Sequence, residues 1–248
     1  MGKLTGKKAV VTGGARGIGR AIALAFAREG ADVAVLDLRK EDAVRAAAEV
    51  AELDVESLAV AADVASESSV NAALAEVEAE FGRIDILVNN AGFDSASHVV
   101  NMTTETWDRM MDVNLRGVFL CTRAVLPGML KNRHGRIINL SSQLAHKGAP
   151  EMAHYAAAKA GVIGFTRSLA YEVAREGVTV NAICPGPVDT ELFRGLPEAW
   201  RAKKLSELPI GRMASVEEIA PSAVLLASDE GAYFIGATLN PNGGDYMI

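Results

Sequence analysis

The sequence predicts a doubly wound α/β fold: a parallel sheet of about seven strands with helices on both faces. Three observations carry this. Short apolar runs alternate with longer amphipathic stretches along the whole chain. The early apolar runs are continuous, as strands covered on both faces require. Half of the 248 residues are apolar but only 5% are aromatic, a balance that suits small-residue helices packed on a buried sheet.

The elements follow in order. Lys7–Thr12 reads as the first strand and Gly17–Arg28 as a helix that Gly30 stops. Ala31–Leu36 is a strand and Lys40–Leu53 a helix. Leu58–Ala61 is the third strand, and Ser66 caps a helix that runs to about Phe81. Ile84–Val88 is the fourth strand. Thr104–Arg116 is helical and continues, after a break, through Val118–Leu130. Arg136–Leu140 is the fifth strand, His154–Arg175 a long helix and Val178–Ile183 the sixth strand. Ser215–Leu226 is a helix and Ala237–Leu239 a last short strand. No repeat or linker divides the chain, so residues 1–248 read as one domain. The least regular stretch, about 187–211, has the character of a lid, with a short helical piece at Ala199–Ser206.

Composition excludes several classes. The net charge of −6 comes with scattered Lys and Arg rather than a basic stripe, which argues against a nucleic-acid partner. No apolar stretch approaches the ~20 residues of a membrane span. Cys121 and Cys184 are far apart and have no CxxC spacing, so buried thiols are expected, with no disulfide and no metal site. The start of the chain has no signal-peptide pattern, and the protein is expected to be cytoplasmic.

Two motifs carry chemistry. Thr12-Gly13-Gly14-Ala15-Arg16-Gly17-Ile18-Gly19 lies at the first strand-to-helix junction. Glycines there let the backbone approach a pyrophosphate, and the helix N-terminus offers free N–H groups and a positive dipole end. Asp37, at the end of the second strand, is placed to accept hydrogen bonds from an adenosine ribose. A carboxylate there also repels a 2′-phosphate, which favours NAD over NADP, while Arg39 and Lys40 pull the other way. Tyr155 and Lys159 stand at i and i+4, one helical turn apart on one face. A nearby ammonium favours the phenolate and is expected to pull the Tyr155 pKa down, the nicotinamide of NAD⁺ adds a second positive charge, and a tyrosine so shifted toward 7 becomes an acid/base.

On these residues the chain resembles the short-chain dehydrogenase/reductase family, whose cofactor loop is TGxxxGxG and whose catalytic pair is YxxxK. The compact branch is the one it matches, similar to 3-oxoacyl-[acyl-carrier-protein] reductases and NAD-dependent alcohol and sugar dehydrogenases. The resemblance covers essentially all 248 residues, and it implies a Rossmann-type fold.

The resemblance also implies roles. Asp63 and Val64 match the pair that contacts adenine. Asn89-Asn90-Ala91-Gly92 matches NNAG, which lies against the cofactor or ties strand ends. Pro185-Gly186-Pro187-Val188-Asp189-Thr190 resembles PGxVxT, placing Pro185, Gly186, Val188 and Thr190 at the nicotinamide. Ser142 stands at the family's separation before Tyr155, one residue better than Ser141, and would position the substrate oxygen. Asn114 resembles the helix-kinking asparagine that holds a water linking Lys159 to solvent. Lys159 would also bind the cofactor ribose.

The candidates for lining the substrate pocket are Phe93, Asp94, Gln143, Leu144, His146, Pro187 and Phe193, with Leu196 and Trp200 in the lid. His154 abuts Tyr155 but points to another face.

The leading expectation is therefore hydride transfer between NAD(H) and a secondary alcohol or ketone. The alternative is an NADPH-dependent 3-oxoacyl-[acyl-carrier-protein] reductase, for which Lys131, Arg133 and Arg136 offer part of a basic patch for an acidic carrier. A non-catalytic dinucleotide sensor would be expected to lose Tyr155 or Lys159, and this chain keeps both. The family's tetramers form through two long helices, here about Val118–Leu130 and His154–Arg175. Ala156, Ala157, Gly161 and Gly164 on the second would allow close packing in a homotetramer.

Overall fold

The computed structural model describes residues 2–189 and 198–247. Its seven strands are β1 (Lys8–Thr12), β2 (Asp32–Asp37), β3 (Ser57–Ala61), β4 (Ile86–Asn89), β5 (Gly135–Leu140), β6 (Val178–Ile183) and β7 (Thr238–Leu239). They form one sheet in the order β3-β2-β1-β4-β5-β6-β7, with every neighbouring pair parallel. The direction of winding reverses between β1 and β4. In open parallel sheets, the crevice at the carboxyl ends of the strands at such a switch point is where ligands bind.

Strand side chains alternate between two apolar layers. Val11, Val33 and Val35 pack with Ile22 and Phe26 of α1 (Gly17–Arg28), Val50 of α2 (Lys40–Ala51) and Leu226 of a C-terminal helix. Val10, Ala34 and Leu36 face the other way. They pack with Val77 of α3 (Glu67–Phe81), and with Leu120 and Leu169 on two long helices further along. Ser66 caps α3 as its sequence predicts, accepting from the Ser69 amide at 3.4 Å.

Three element predictions need correction. No break separates the fourth and fifth helices. α4 (Thr104–Met111) runs through one wide π turn, Asp112–Arg116, straight into α5 (Gly117–Lys131). The widened turn points the buried Asn114 side chain inward, where Nδ2 donates to the Phe93 carbonyl at 3.0 Å. A short helix, α6 (Leu144–Lys147), stands just after Ser142, where no element was expected. The long helix α7 spans Ala153–Val173, and α8 spans Glu198–Glu207. The region predicted as Ser215–Leu226 divides into a 3-10 turn, Val216–Glu218, and α9 (Ala220–Ala227). Pro221 explains the division, because it has no N–H to continue the preceding turn.

A buried chain of polar groups joins the central strands to the second layer. Asn89 Nδ2 donates to Asn139 Oδ1 (2.8 Å) and Thr122 Oγ1 (3.0 Å), and Asn139 Nδ2 donates to Thr166 Oγ1 (2.9 Å). The chain couples β4, β5, α5 and α7; α7 carries Tyr155 and Lys159, Ser142 follows β5, and Asn114 precedes α5. Asn139→Ala leaves the Asn89 amide and the Thr166 hydroxyl short of partners, and should cost about 2 kcal/mol. Urea unfolding checks this, and an unchanged midpoint would show that the network does not hold the sheet to its helices.

Candidate active site

The carboxyl ends of β1, β4 and β5 meet at the switch point, and their loops build one cleft. Gly13 needs its missing side chain twice. Its φ is +59°, and a Cβ would lie 2.8 Å from the Ala91 Cα. The Asn90 amide holds this loop from the β4 side, donating to the carbonyls of Thr12 (3.0 Å) and Gly13 (2.9 Å). The Thr12 hydroxyl accepts from the Asn90 and Ala91 amides, both at 3.0 Å. Asn90 thus fastens two strand ends, the structural role its motif allowed.

The loop suits a dinucleotide. Gly17 has φ +55° with open space beside it, and the adjacent Arg16 is exposed and makes no side-chain cap on α1. No acidic residue stands in that first turn to compete for its amides and positive dipole end. Ile18 and Gly19 continue α1 from the loop, and Gly19 is buried.

Asp37 ends β2, and its carboxylate accepts from the Ala15 amide at 3.3 Å, so it also braces the loop. The two cations that opposed it in the sequence are engaged elsewhere. Arg39 pairs with Asp42, and Lys40 Nζ donates to the Ala59 carbonyl at 2.6 Å. Asp63 accepts from the Ala65 amide at 3.0 Å. The Val64 side chain is buried against Gly117, so it can reach the cleft only through its backbone.

Tyr155 and Lys159 lie one turn apart on α7, with the Lys159 Nζ 5.7 Å from the tyrosine ring centroid. Ser142 is the serine on the Tyr155 side, where its hydroxyl favours the phenolate. Ser141 has a different job: its hydroxyl donates to the Lys159 backbone carbonyl at 2.8 Å. Lys159 is buried, and its Nζ donates to the Leu140 carbonyl at 2.8 Å. Gly92 closes over this group, since a Cβ there would lie 2.6 Å from Asn114 Oδ1 and 3.5 Å from Lys159 Nζ. Asn114 Oδ1 is buried and has no partner within the protein.

In the chain by itself the Tyr155 pKa moves the opposite way from that expected with a neighbouring cation and NAD⁺. Burial pushes the phenol up to about 12; Asp94 and Cys184 push the same way, and the Ser142 bond opposes them. Burial also pulls Lys159 down to about 8, against Cys184 and Asp94. Desolvation disfavours the charged form of both groups.

Other candidates sort by position. His154 is buried and its Nε2 meets Ser95 Oγ at 2.9 Å, on a different face from Tyr155. His146 stacks on Tyr246, with centroids 5.4 Å apart and planes 7° from parallel. Gln143 is buried between α6 and the chain's C-terminal segment. Leu144 follows it, its amide donating to Ser142 Oγ at 3.1 Å. Phe93 is part-exposed beside Arg109. Pro185 accepts from the Gln143 amide at 3.1 Å, and Gly186 donates to the Pro241 carbonyl at 3.1 Å. Pro187 borders a cavity of about 320 Å³ with Leu208, Ile210 and residues 240–244. Val188 bridges Ala214, joining the two ends of the predicted lid. Thr190, Phe193, Leu196 and the side chain of Trp200 lie outside the described residues.

The basic patch drawn for a carrier protein is not beside this cleft. Arg136 is the second residue of β5, at the opposite end from Ser142. It is buried and faces Asp229 at 3.7 Å. Arg133 pairs with Glu176 at 2.8 Å on the same side. Among the described residues, no cluster of His, Cys, Asp and Glu could hold a metal ion, and no helix is long and apolar enough to cross a membrane. Both cysteines are buried and free.

Residues 13–245 match the family model described as enoyl-(acyl carrier protein) reductase. The chain is 43% identical over 243 residues to the 3-oxoacyl-[acyl-carrier-protein] reductase FabG of Escherichia coli (strain K12), covering 98% of each. The chain belongs to the short-chain dehydrogenase/reductase family. FabG of Staphylococcus aureus (strain N315) is also 43% identical, over 97% of this chain and 98% of its own. Among solved structures, a Sinorhizobium meliloti 1021 protein assigned as a short-chain alcohol dehydrogenase superposes with a TM-score of 0.93. Its identity is 34%, over 98% of this chain and 97% of that one. As a short-chain dehydrogenase/reductase, the chain is an oxidoreductase acting on CH–OH groups.

Sequence reasoning missed two residues of this cleft. Lys147 and Asp245 form an ion pair at 2.8 Å that fastens α6 to the C-terminal segment. Only a contact between residues so distant in sequence reveals it.

Ultraviolet titration of tyrosinate in the wild type, minus that of Tyr155→Phe, should place the Tyr155 ionisation above the ordinary value of about 10. A step near pH 7 without cofactor would show that Lys159 outweighs desolvation after all.

Proposed function

We propose that this enzyme transfers a hydride between NAD(H) and a secondary alcohol or ketone. The observation that carries the reading is the convergence of Ser142, Tyr155 and Lys159 beside a glycine loop suited to a dinucleotide. The dinucleotide would lie along Gly13, Arg16, Gly17, Ile18 and Gly19. Asp37 would take the adenosine ribose, and Asp63 and the Val64 backbone the adenine. Ala91, Gly92, Pro185, Gly186, Val188 and Thr190 would flank the nicotinamide end. When bound, that group supplies the hydride acceptor or donor.

The protein's own residues handle the oxygen and its proton. Ser142 Oγ holds the substrate oxygen against Tyr155 Oη, which takes the proton in oxidation and returns it in reduction. Lys159 uses one of its three N–H bonds on Leu140 and keeps the others for the cofactor ribose and the relay. The unpartnered Asn114 Oδ1 is the acceptor that holds the relay water. The engagement of Arg39 and Lys40 elsewhere supports NAD over NADP.

The 43% identity to FabG favours a second reading, an NADPH-dependent 3-oxoacyl-[acyl-carrier-protein] reductase. Against it stand Asp37 and the position of Arg133 and Arg136 at the far end of the sheet.

The assembly we propose is a cytoplasmic homotetramer of single-domain subunits, each with a lid at about 187–211. Its support is the outer face of α5 and α7. Phe119 is 41% exposed there beside Phe165, and the Gly164 side is open. Gly161 does not serve that face, because Leu115 of the same chain fills its space.

Fluorescence titration should show NADH binding at least about tenfold tighter than NADPH, with Asp37→Ala narrowing the gap. Tighter NADPH binding would overturn the NAD assignment and move the reductase reading ahead. Tyr155→Phe should keep NADH affinity and lower kcat by about a thousandfold. Near-normal turnover would remove Tyr155 from the chemistry. Light scattering should give about four times the 26.1 kDa chain mass, and a monomer would overturn the tetramer.

A further inference from the structure

We propose a second, anion-binding site at the amino edge of the sheet, remote from the cleft, in which Lys7, His134 and Arg136 hold a phosphate-type oxyanion. Strand alternation brings these residues together. Lys7 stands two residues before Ala9 of β1, and Arg136 two before Ile138 of β5. Ala9 and Ile138 both belong to the apolar layer under α1 and α9. His134 precedes Arg136 by two residues again. The Lys7 Nζ lies 3.1 Å from His134 Nε2, although 127 positions separate the two residues. Arg136 is paired in register with Thr179 of β6. The glycine loop follows the carboxyl end of the same β1, so the length of the strand separates it from Lys7.

The hydrogen-bond roles in this group are forced. An ammonium only donates, so His134 Nε2 accepts from Lys7 and the ring proton sits on Nδ1. The imidazole is neutral there and still a donor. Burial lowers its pKa, and the Lys7 and Arg136 charges lower it further, against Asp85 and Asp229. Arg136 is buried, and its NH1 donates to the carbonyl of the adjoining Gly135 at 3.1 Å. Its Nε has no partner among the described residues, and neither has the Thr179 hydroxyl oxygen.

The acids nearby are mostly committed. Asp85 accepts from Arg83 Nε at 3.0 Å and from the Lys8 amide at 2.9 Å. Glu230 pairs with Lys3 at 2.7 Å. Asp229 alone faces Arg136, at 3.7 Å, beyond hydrogen-bond reach. Its side chain is 92% exposed, and a carboxylate so well hydrated neutralises little. Two cations and a donor imidazole therefore converge on one distant acid. A buried guanidinium short of partners is costly, and an anion that meets it offsets that cost.

The group is open to a ligand. Lys7 and His134 are half-buried, and Asp229 meets Arg136 from the solvent side. The ligand must carry full negative charge and several acceptor oxygens around one centre, to meet donors arriving from two strands. A tetrahedral oxyanion does this, whereas a halide offers a single atom. Inorganic phosphate and the phosphate group of an organic monoester share the chemistry.

The test follows the ring resonances of the four histidines by NMR during titration with inorganic phosphate, with sodium chloride at matched ionic strength as the control. Saturable movement confined to His134, with its pKa raised by at least about half a unit, is the expected result. Lys7→Gln should weaken phosphate binding by at least about fivefold, and Asp229→Asn, which removes the competing acid, should tighten it by about twofold or more. An unchanged resonance of the buried His154 will show that both variants have folded. A parallel titration with methyl phosphate identifies the source, since the tighter of the two ligands names it and either supports the site. Equal movement of His134 in chloride, a shift that does not saturate, or phosphate binding that Lys7→Gln leaves unchanged overturns the proposal.

Discussion

The site depends on one buried ammonium. Lys159 is surrounded by protein, and taking its charge out of water is costly unless the charge is hydrogen-bonded. The partner is the last carbonyl of β5, Leu140, at 2.8 Å. That bond locks α7 to the central strand's carboxyl end, and Ser141 doubles the lock by gripping the Lys159 carbonyl. Once α7 is set, Tyr155 follows one turn earlier on the same face and Ser142 comes to meet it. The close approach of Gly92 and Asn114 to the ammonium then dictates the path of the chain after β4. A charge that must be satisfied thus organises four segments that are far apart in sequence.

The cofactor half is organised by neutral groups instead. Asn90 donates to the Thr12 hydroxyl and carbonyl across the ends of β1 and β4, and Gly13 fits against Ala91 because it lacks a side chain. Behind them, Asn89 and Asn139 carry the same coupling into α5 and α7. The two halves therefore share β4 and β5 as a rigid floor. A change in either asparagine is felt at both the phosphate loop and Tyr155, although neither residue touches a reacting atom.

Much of this was legible in the sequence because it depends on local pattern. Continuous apolar runs such as Val33–Leu36 marked buried strands, and the predicted bounds of α1 agree with the structure. Tyr155 and Lys159 were readable because helical spacing alone puts them on one face. The less legible features are those where a local rule is overridden from a distance. At residues 112–116 the kink was expected from Asn114, but not the unbroken π turn whose Asn114 amide donates to the distant Phe93 carbonyl. The helix at Leu144–Lys147 is too short to show a period, and it is held by Asp245, about a hundred residues on. The direction of the Tyr155 shift without cofactor was hidden for the same reason: spacing reveals the neighbouring charge but not the desolvation.

The direction of that shift bears on how the site works. In the chain by itself burial pulls Lys159 down to about 8 and pushes Tyr155 up to about 12, which favours a neutral phenol at neutral pH. This is the state that donates a proton, the one needed to reduce a ketone. Oxidation needs the phenolate, and burial alone opposes it. The positive charge of an oxidised nicotinamide, brought beside the phenol, acts in the opposite sense and favours the phenolate. Desolvation therefore gives the oxidised cofactor more to do than it would have beside an exposed tyrosine. It ties the protonation state of Tyr155 to the redox state of whatever occupies the loop between Gly13 and Gly19.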